Sequence, residues 1–200
     1  LSLSRNLNLE ASNPHIHNPI VHRAARGDRK AQTELYELYS KAMFNVSYRM
    51  VNDGQIAEDL MHEAFIQAFQ KLDQFQFEST FGHWLKRIVV NKSLNHLRRE
   101  KMIKEKEIEL EYESSVEQAE ESSEQWSESF SLKEIIEATK RLAKKHALVF
   151  NLYMIEGYDH EEIGEIMGIS TSTSRSQLSR AKQNLKEILI NKMSKEHVRS

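Results

Sequence analysis

The chain has 200 residues, with 28 Lys and Arg against 30 Asp and Glu and a formal net charge of −2. It holds no cysteine, 2 prolines and 6 glycines, which excludes disulfides and thiolate metal sites and favours a mostly helical protein. No apolar run approaches the length of a membrane span, so direct membrane insertion is not expected.

Residues 1–20 read as a flexible N-terminal tail without the apolar stretch of a secretory signal. His15, His17 and His22 have no carboxylate or further histidine at a ligand spacing, so no metal site is expected. Residues 21–100 read as a first helical domain. Ala31, Leu35, Leu38, Tyr39, Ala42, Met43, Val46 and Met50 recur at helical spacing after Gly27-Asp28, giving two helices or one bent helix over 21–51. Asn52-Asp53-Gly54 is a turn.

A strongly amphipathic helix follows over 55–72, burying Ala57, Leu60, Met61, Ala64, Phe65, Ala68 and Leu72. Asp59, His62, Glu63, Ile66 and Gln70 fall together on another face. Two carboxylates beside an outward isoleucine suit a partner-docking patch or a solvated face. Nothing nearby supplies the pocket or nucleophile of an acid–base pair.

Gln74, Phe75, Gln76 and Phe77 form a short loop. Its rings could hold an unstacked base while its amides read base edges, or the rings could anchor the loop to the core. The next helix, Phe81 to Arg99, carries Lys86, Arg87, Lys92, Arg98 and Arg99 and no acid before Glu100. A helix of one charge sign in a slightly acidic chain predicts a nucleic-acid surface, with Asn91, Asn95 and His96 as further polar donors.

Residues 101–130 turn acidic and serine-rich and predict a linker, helical at its start. Residues 131–193 read as a second helical domain, which opens on a Ser131/Glu134 capping box. Leu132, Ile135, Ile136 and Leu142 are its first apolar stripe, and Ala147 to Ile155 its second helix. Lys192 to Ser200 is expected to fray.

Gly157 to Leu189 predicts a helix-turn-helix. Asp159 and Glu162 form a capping box, Gly168 ends the first helix, and Gly164 lets a second helix approach. Ile169 plugs the core and Ser170 caps the second helix. Ser174, Leu178, Ala181, Leu185 and Ile188 are its buried stripe. Its outer face presents Ser172, Thr173, Arg175, Ser176, Ser179, Arg180 and Lys182, with no acid before Glu187. Arginine reads guanine with two hydrogen bonds, and small hydroxyls reach phosphates or bases, so this face suits the major groove. The sequence therefore predicts an all-α protein of two small domains joined by an acidic linker.

Taken in order, these motifs resemble an alternative sigma factor of the extracytoplasmic-function type. Ala57-Glu-Asp-Leu-Met-His-Glu-Ala-Phe-Ile66, Phe81-Gly-His-Trp-Leu-Lys-Arg-Ile88, Asn91 and Leu97-Arg-Arg99 are similar to sigma region 2. Ala147 to Tyr153, Ile155-Glu-Gly157, Glu161 to Gly164, Gly168-Ile-Ser170 and Ser174 to Lys182 are similar to region 4. The Thr-Ser-Arg-Ser-Gln-Leu form of the recognition helix resembles members from the Bacteroidetes lineage. Four positions depart from the family's common pattern. His62 stands where glutamine is frequent, Asn95 for aspartate, Ala143 for proline and Ser174 for valine.

The resemblance implies that Asp59, His62, Glu63 and Ile66 dock on core RNA polymerase. It implies that Gln74, Phe75, Gln76 and Phe77, with Lys92, Asn95, Arg98 and Arg99, capture and melt the promoter −10 element. The helix-turn-helix would read the −35 element. A cytoplasmic protein is implied, held in check by an anti-sigma factor that is often membrane-anchored in this family. From its own acidity, the linker is expected to thread the polymerase RNA channel, or in the free protein to fold against the basic helix Lys86–Arg99 and mask it. A stand-alone helix-turn-helix regulator is the alternative. With no phosphate-binding glycine loop and no His-Glu-x-x-His pattern, neither catalytic residues nor a cofactor is expected.

Overall fold

The computed structural model describes residues 16–107 and 130–197, with side chains at 16–100 and 130–192. His15 and most of the expected linker lie outside the described residues. The chain divides into two compact units, one ending at Ile108 and one beginning at Glu109. Among the described residues every regular element is helical.

The first unit opens with α1, Asn18–Ala25, which has proline in its first turn, where no amide hydrogen bond is lost. Gly27 turns the chain at φ 86°. Asp28 caps α2, Arg29–Val51, accepting from the amides of Lys30 and Ala31 at 2.9 and 3.2 Å. The expected 21–51 segment is thus two helices. Arg23 donates to the same carboxylate at 2.9 Å, and that bond, joined by the Ala31 amide, holds Asp28 below the usual carboxylate range.

Asn52 ends α2 in the left-handed conformation, and Asp53 caps α3, Gly54–Gln70, by accepting from Ile56 N at 3.0 Å. A single 3-10 turn, Leu72–Gln74, leads into the loop. Helix α4, Phe81–Glu107, begins where Thr80 Oγ1 accepts from His83 N at 3.1 Å. Its backbone stays helical into the start of the expected linker. Helices α2, α3 and α4 pack mutually around Leu35, Tyr39, Met43, Phe65, Phe81, Leu85 and Val89. Where α2 meets α4, the buried hydroxyls of Ser47 and Ser93 hydrogen-bond at 3.1 Å, so neither is left unsatisfied.

The second unit starts with α5, Leu132–Thr139, behind the expected capping box. Its expected stripe shifts. Ala138 and Leu142 are buried, Ile135 and Ile136 are half-buried, and Leu132 is 59% exposed. Helix α6, Lys144–Phe150, continues directly into a π turn, Asn151–Ile155, closed by Glu156 N donating to Asn151 O at 3.0 Å. Helix α7 is His160–Met167 and α8 is Thr171–His197. Its helical backbone runs past Lys192, where fraying is expected, to His197. The far end of α8 is tied to α5 by Lys192 Nζ and Glu134 Oε1 at 3.4 Å.

Candidate nucleic-acid and partner interfaces

The turn between α7 and α8 is built from small residues and side-chain caps. Asp159 accepts from the amides of Glu161 and Glu162, both at 2.8 Å, and Glu162 accepts in return from Asp159 N at 2.9 Å. Gly168 takes the left-handed conformation, φ 71° and ψ 37°. The amides of Gly168 and Ile169 both donate to Gly164 O, at 2.9 and 3.0 Å. A Cβ on Gly164 would lie 2.9 Å from Ile169 O, so glycine there is a packing requirement. Ile169 itself is half-buried at the margin, because its backbone, held against Gly164, occupies the close approach. Ser170 Oγ accepts from Thr173 N at 3.0 Å and caps α8.

From that cap α8 buries Ser174, Leu178, Ala181, Leu185 and Leu189. Leu189 replaces the expected Ile188 as the last core position, and Ile188 is half-buried. On the outer face Ser172 and Arg175 are exposed, while Thr173, Ser176, Ser179, Arg180 and Lys182 are half-buried. Ser176 Oγ donates back to Thr173 O at 3.0 Å. This face carries positive charge and hydroxyls over about three turns, and Arg175 is its most outward cation.

In the loop of the first unit the two phenylalanines part company. Phe75 is only 6% exposed, and its ring packs on Trp84 at 5.2 Å and Phe81 at 6.3 Å between centroids. The expectation that Phe75 offers a face to a base is corrected: its ring anchors the loop. Phe77 is half-buried and left-handed, φ 58°, and stacks on His22 of α1 with centroids 4.4 Å apart. Gln74 and Gln76 are exposed beside it.

Along α4, Asn95, Arg98 and Arg99 are exposed, and Arg98 Nη1 donates to Asn95 Oδ1 at 3.3 Å. Lys92 goes elsewhere. Its Nζ donates to Glu63 Oε2 at 2.9 Å. On α3, Asp59, His62, Glu63 and Ile66 are all exposed together, Ile66 at 58%.

Among the described residues no group of three or more His, Cys, Asp or Glu could hold a metal ion. His17 meets the Tyr39 hydroxyl at 2.6 Å. No helix among them is long and apolar enough to cross a membrane.

The model of Sigma-70 region 2 matches residues 35–102, and that of Sigma-70 region 4 matches residues 132–185. The ECF RNA polymerase sigma-E factor of Escherichia coli K12 is 33% identical over 173 residues, 82% of this chain and 89% of that protein. The chain belongs to the ECF sigma factors. The RNA polymerase sigma-H factor of Pseudomonas aeruginosa is 30% identical over 177 residues, 85% of this chain and 92% of that one. Two solved sigma factors share the fold. One is RpoE in complex with the anti-sigma factor NepR from Bartonella quintana, at TM-score 0.53 and 23% identity, covering 78% of this chain and 95% of that one. The other is CnrH in complex with the cytosolic domain of CnrY, at TM-score 0.52 and 20% identity, covering 86% and 96%.

In this sigma factor some residues at the sites carry no sequence signal of their own. Tyr36 of region 2 holds His62 through its hydroxyl at 2.9 Å, yet it lies outside the apolar stripe read in α2 and belongs to no motif. His22 reaches Phe77 from a distant helix. His160 of region 4 accepts or donates at Ser174 Oγ, 2.8 Å from its Nδ1, with Tyr153 stacked on it at 4.5 Å. This polar link explains how a serine is accommodated fully buried where the family commonly has valine. His146 is only 8% exposed, and neither ring nitrogen has a partner. Burial, and after it the charges of Lys145 and Arg180, hold its pKa below the ordinary imidazole value.

Proposed function

We propose that this sigma factor joins core RNA polymerase to promoters with paired −35 and −10 elements and starts transcription there. Residues 21–100 act as region 2 and residues 131–193 as region 4, with 101–130 as the tether between them. Asp59, His62, Glu63 and Ile66 dock on the polymerase. Gln74, Gln76 and Phe77 hold one unstacked base of the −10 strand, and Asn95, Arg98 and Arg99 follow its backbone. Ser172, Thr173, Arg175, Ser176, Ser179, Arg180 and Lys182 face the −35 groove. RNA synthesis belongs to the polymerase, and the chain supplies no catalytic residue.

The observation that carries this reading is the pairing, in one family chain, of an exposed acidic–apolar patch on α3 with a capped helix-turn-helix whose outer face lacks acids. A stand-alone DNA binder has no use for the first. The protein acts in the cytoplasm, and an anti-sigma factor regulates it, the assembly in which both solved relatives occur. Run-off transcription with purified core polymerase on genomic fragments is the test. Discrete transcripts that require the chain support the proposal. Specific DNA binding by the chain alone, with no transcript, would assign it to regulators that work without joining the polymerase.

A further inference from the structure

Two adjacent residues on the outer face of α3 are held from opposite sides. At about 100° per residue, Asp59 and Ile66 lie nearly in line along the helix. His62 falls about 60° to one side of Asp59 and Glu63 about 40° to the other. The contacts divide the same way. His62 turns to α2, where its Nε2 meets the Tyr36 hydroxyl at 2.9 Å and the rings lie 17° from parallel. Tyr36 is itself seated on Phe65, centroids 4.9 Å apart, and Phe65 is core. Glu63 turns to α4, where Lys92 Nζ donates to Oε2 at 2.9 Å. The Lys92 side chain is 22% exposed and that of Glu63 60%. The lysine stem therefore packs against the domain, and its head reaches up to the carboxylate.

We propose that Tyr36 and Lys92 are positioning residues of the polymerase-docking face, and that Lys92 serves this face instead of DNA. The inference rests on the docking reading given above. An unheld glutamate on a helix surface samples several rotamers, and freezing it on association costs affinity. Here the freezing is done before the partner arrives, from both flanks of the Asp59–Ile66 line. A carboxylate with one oxygen engaged by Lys92 keeps capacity for a further donor. The fitting partner is a surface with an apolar socket for Ile66 and basic groups opposite Asp59 and Glu63. Lys92 is engaged by Glu63 Oε2 at 2.9 Å and its side chain is only 22% exposed, so a phosphate would have to compete with that carboxylate for it.

The test uses the full chain and measures two quantities for each variant: affinity for core polymerase, and the salt dependence of holoenzyme binding to promoter DNA at saturating core. Lys92→Met should weaken polymerase binding about 3- to 10-fold, the scale of one side chain that must be immobilised on association. Lys92→Arg should restore it. Tyr36→Phe, which deletes only the hydroxyl, should also weaken it. In a Glu63→Gln background Lys92→Met should cost nothing further, and none of these changes should alter the salt slope on DNA. Circular dichroism verifies folding, and Lys92→Gln replaces Lys92→Met if that variant misfolds.

The proposal is overturned if Lys92→Met keeps polymerase affinity and lowers the salt slope by about 0.7–0.9, the value of one phosphate contact. It is overturned equally if the loss is as large without Glu63 as with it. Ile66→Asp separates the two levels. If it too leaves polymerase binding intact, the docking reading itself fails.

Discussion

Gly164 and Gly54 allow the same substitution to be predicted with opposite signs. A methyl on Gly164 would meet the Ile169 carbonyl oxygen at 2.9 Å, whereas one on Gly54 meets nothing within 4 Å. The obstacle at Gly164 is backbone, so relief requires the turn to move. Overpacking of this kind costs about 1–3 kcal/mol. Alanine returns about 1 kcal/mol over glycine inside a helix. The steric term wins, and Gly164→Ala should destabilise the second unit by about 1 kcal/mol. Because the turn sets the entry of α8, −35 affinity should fall by about fivefold, the equivalent of the same 1 kcal/mol. At Gly54 only the favourable term remains, so Gly54→Ala should stabilise the first unit by about 0.4–1 kcal/mol. Native-state hydrogen exchange reads the two units separately. A stability gain at both positions would refute the close approach of α7 to the turn.

Further outcomes follow from the same geometry. Arg175→Ala should cost about 1–3 kcal/mol and relax preference at one −35 position if the guanidinium reads a base; a uniform loss across sequences, scored by selection from a random pool, would make it a phosphate contact. Phe75→Ala should cost the first unit about 3–5 kcal/mol as a core deletion. Phe77→Gly should leave that unit folded, since glycine takes the left-handed backbone freely, yet abolish base preference in −10 strand binding. The buried, unpartnered ring of His146 makes the second unit acid-sensitive. Its folded pKa lies below the ordinary value of 6.5, so the unfolded chain binds the proton first. The stabilisation is full above that pH and is lost as pH falls through the lower folded value. Urea titrations between neutral pH and pH 5 should show this, and His146→Leu should flatten the dependence.

The elements were legible wherever a local rule acts alone. The two capping boxes, the glycine at the end of α7 and the acid-free face of α8 all appear where periodicity and capping chemistry place them. The sequence was silent where a residue's partner is distant along the chain. Phe75 and Phe77 sit two apart in one loop, and only the ring cluster of Phe81 and Trp84 decides which is anchor and which is half-exposed. Lys92 reads as a member of a basic stripe, and its pairing with Glu63 depends on how α3 lies against α4. Ile188 and Leu189 are both apolar, and the choice between them turns on the angular drift of a long helix. The π turn after Phe150 has no pattern of its own, since it inserts one residue into an otherwise helical run.

The central claim is that one chain carries polymerase to a promoter, and run-off transcription from a single promoter tests it most directly. The chain, core polymerase and template together should yield one transcript, which disappears when any of the three is omitted. Asp59→Ala combined with Glu63→Ala should reduce the yield at limiting polymerase and recover it when polymerase is in excess, because docking is what was weakened. Transcript levels indifferent to these two carboxylates at every polymerase concentration would contradict the account.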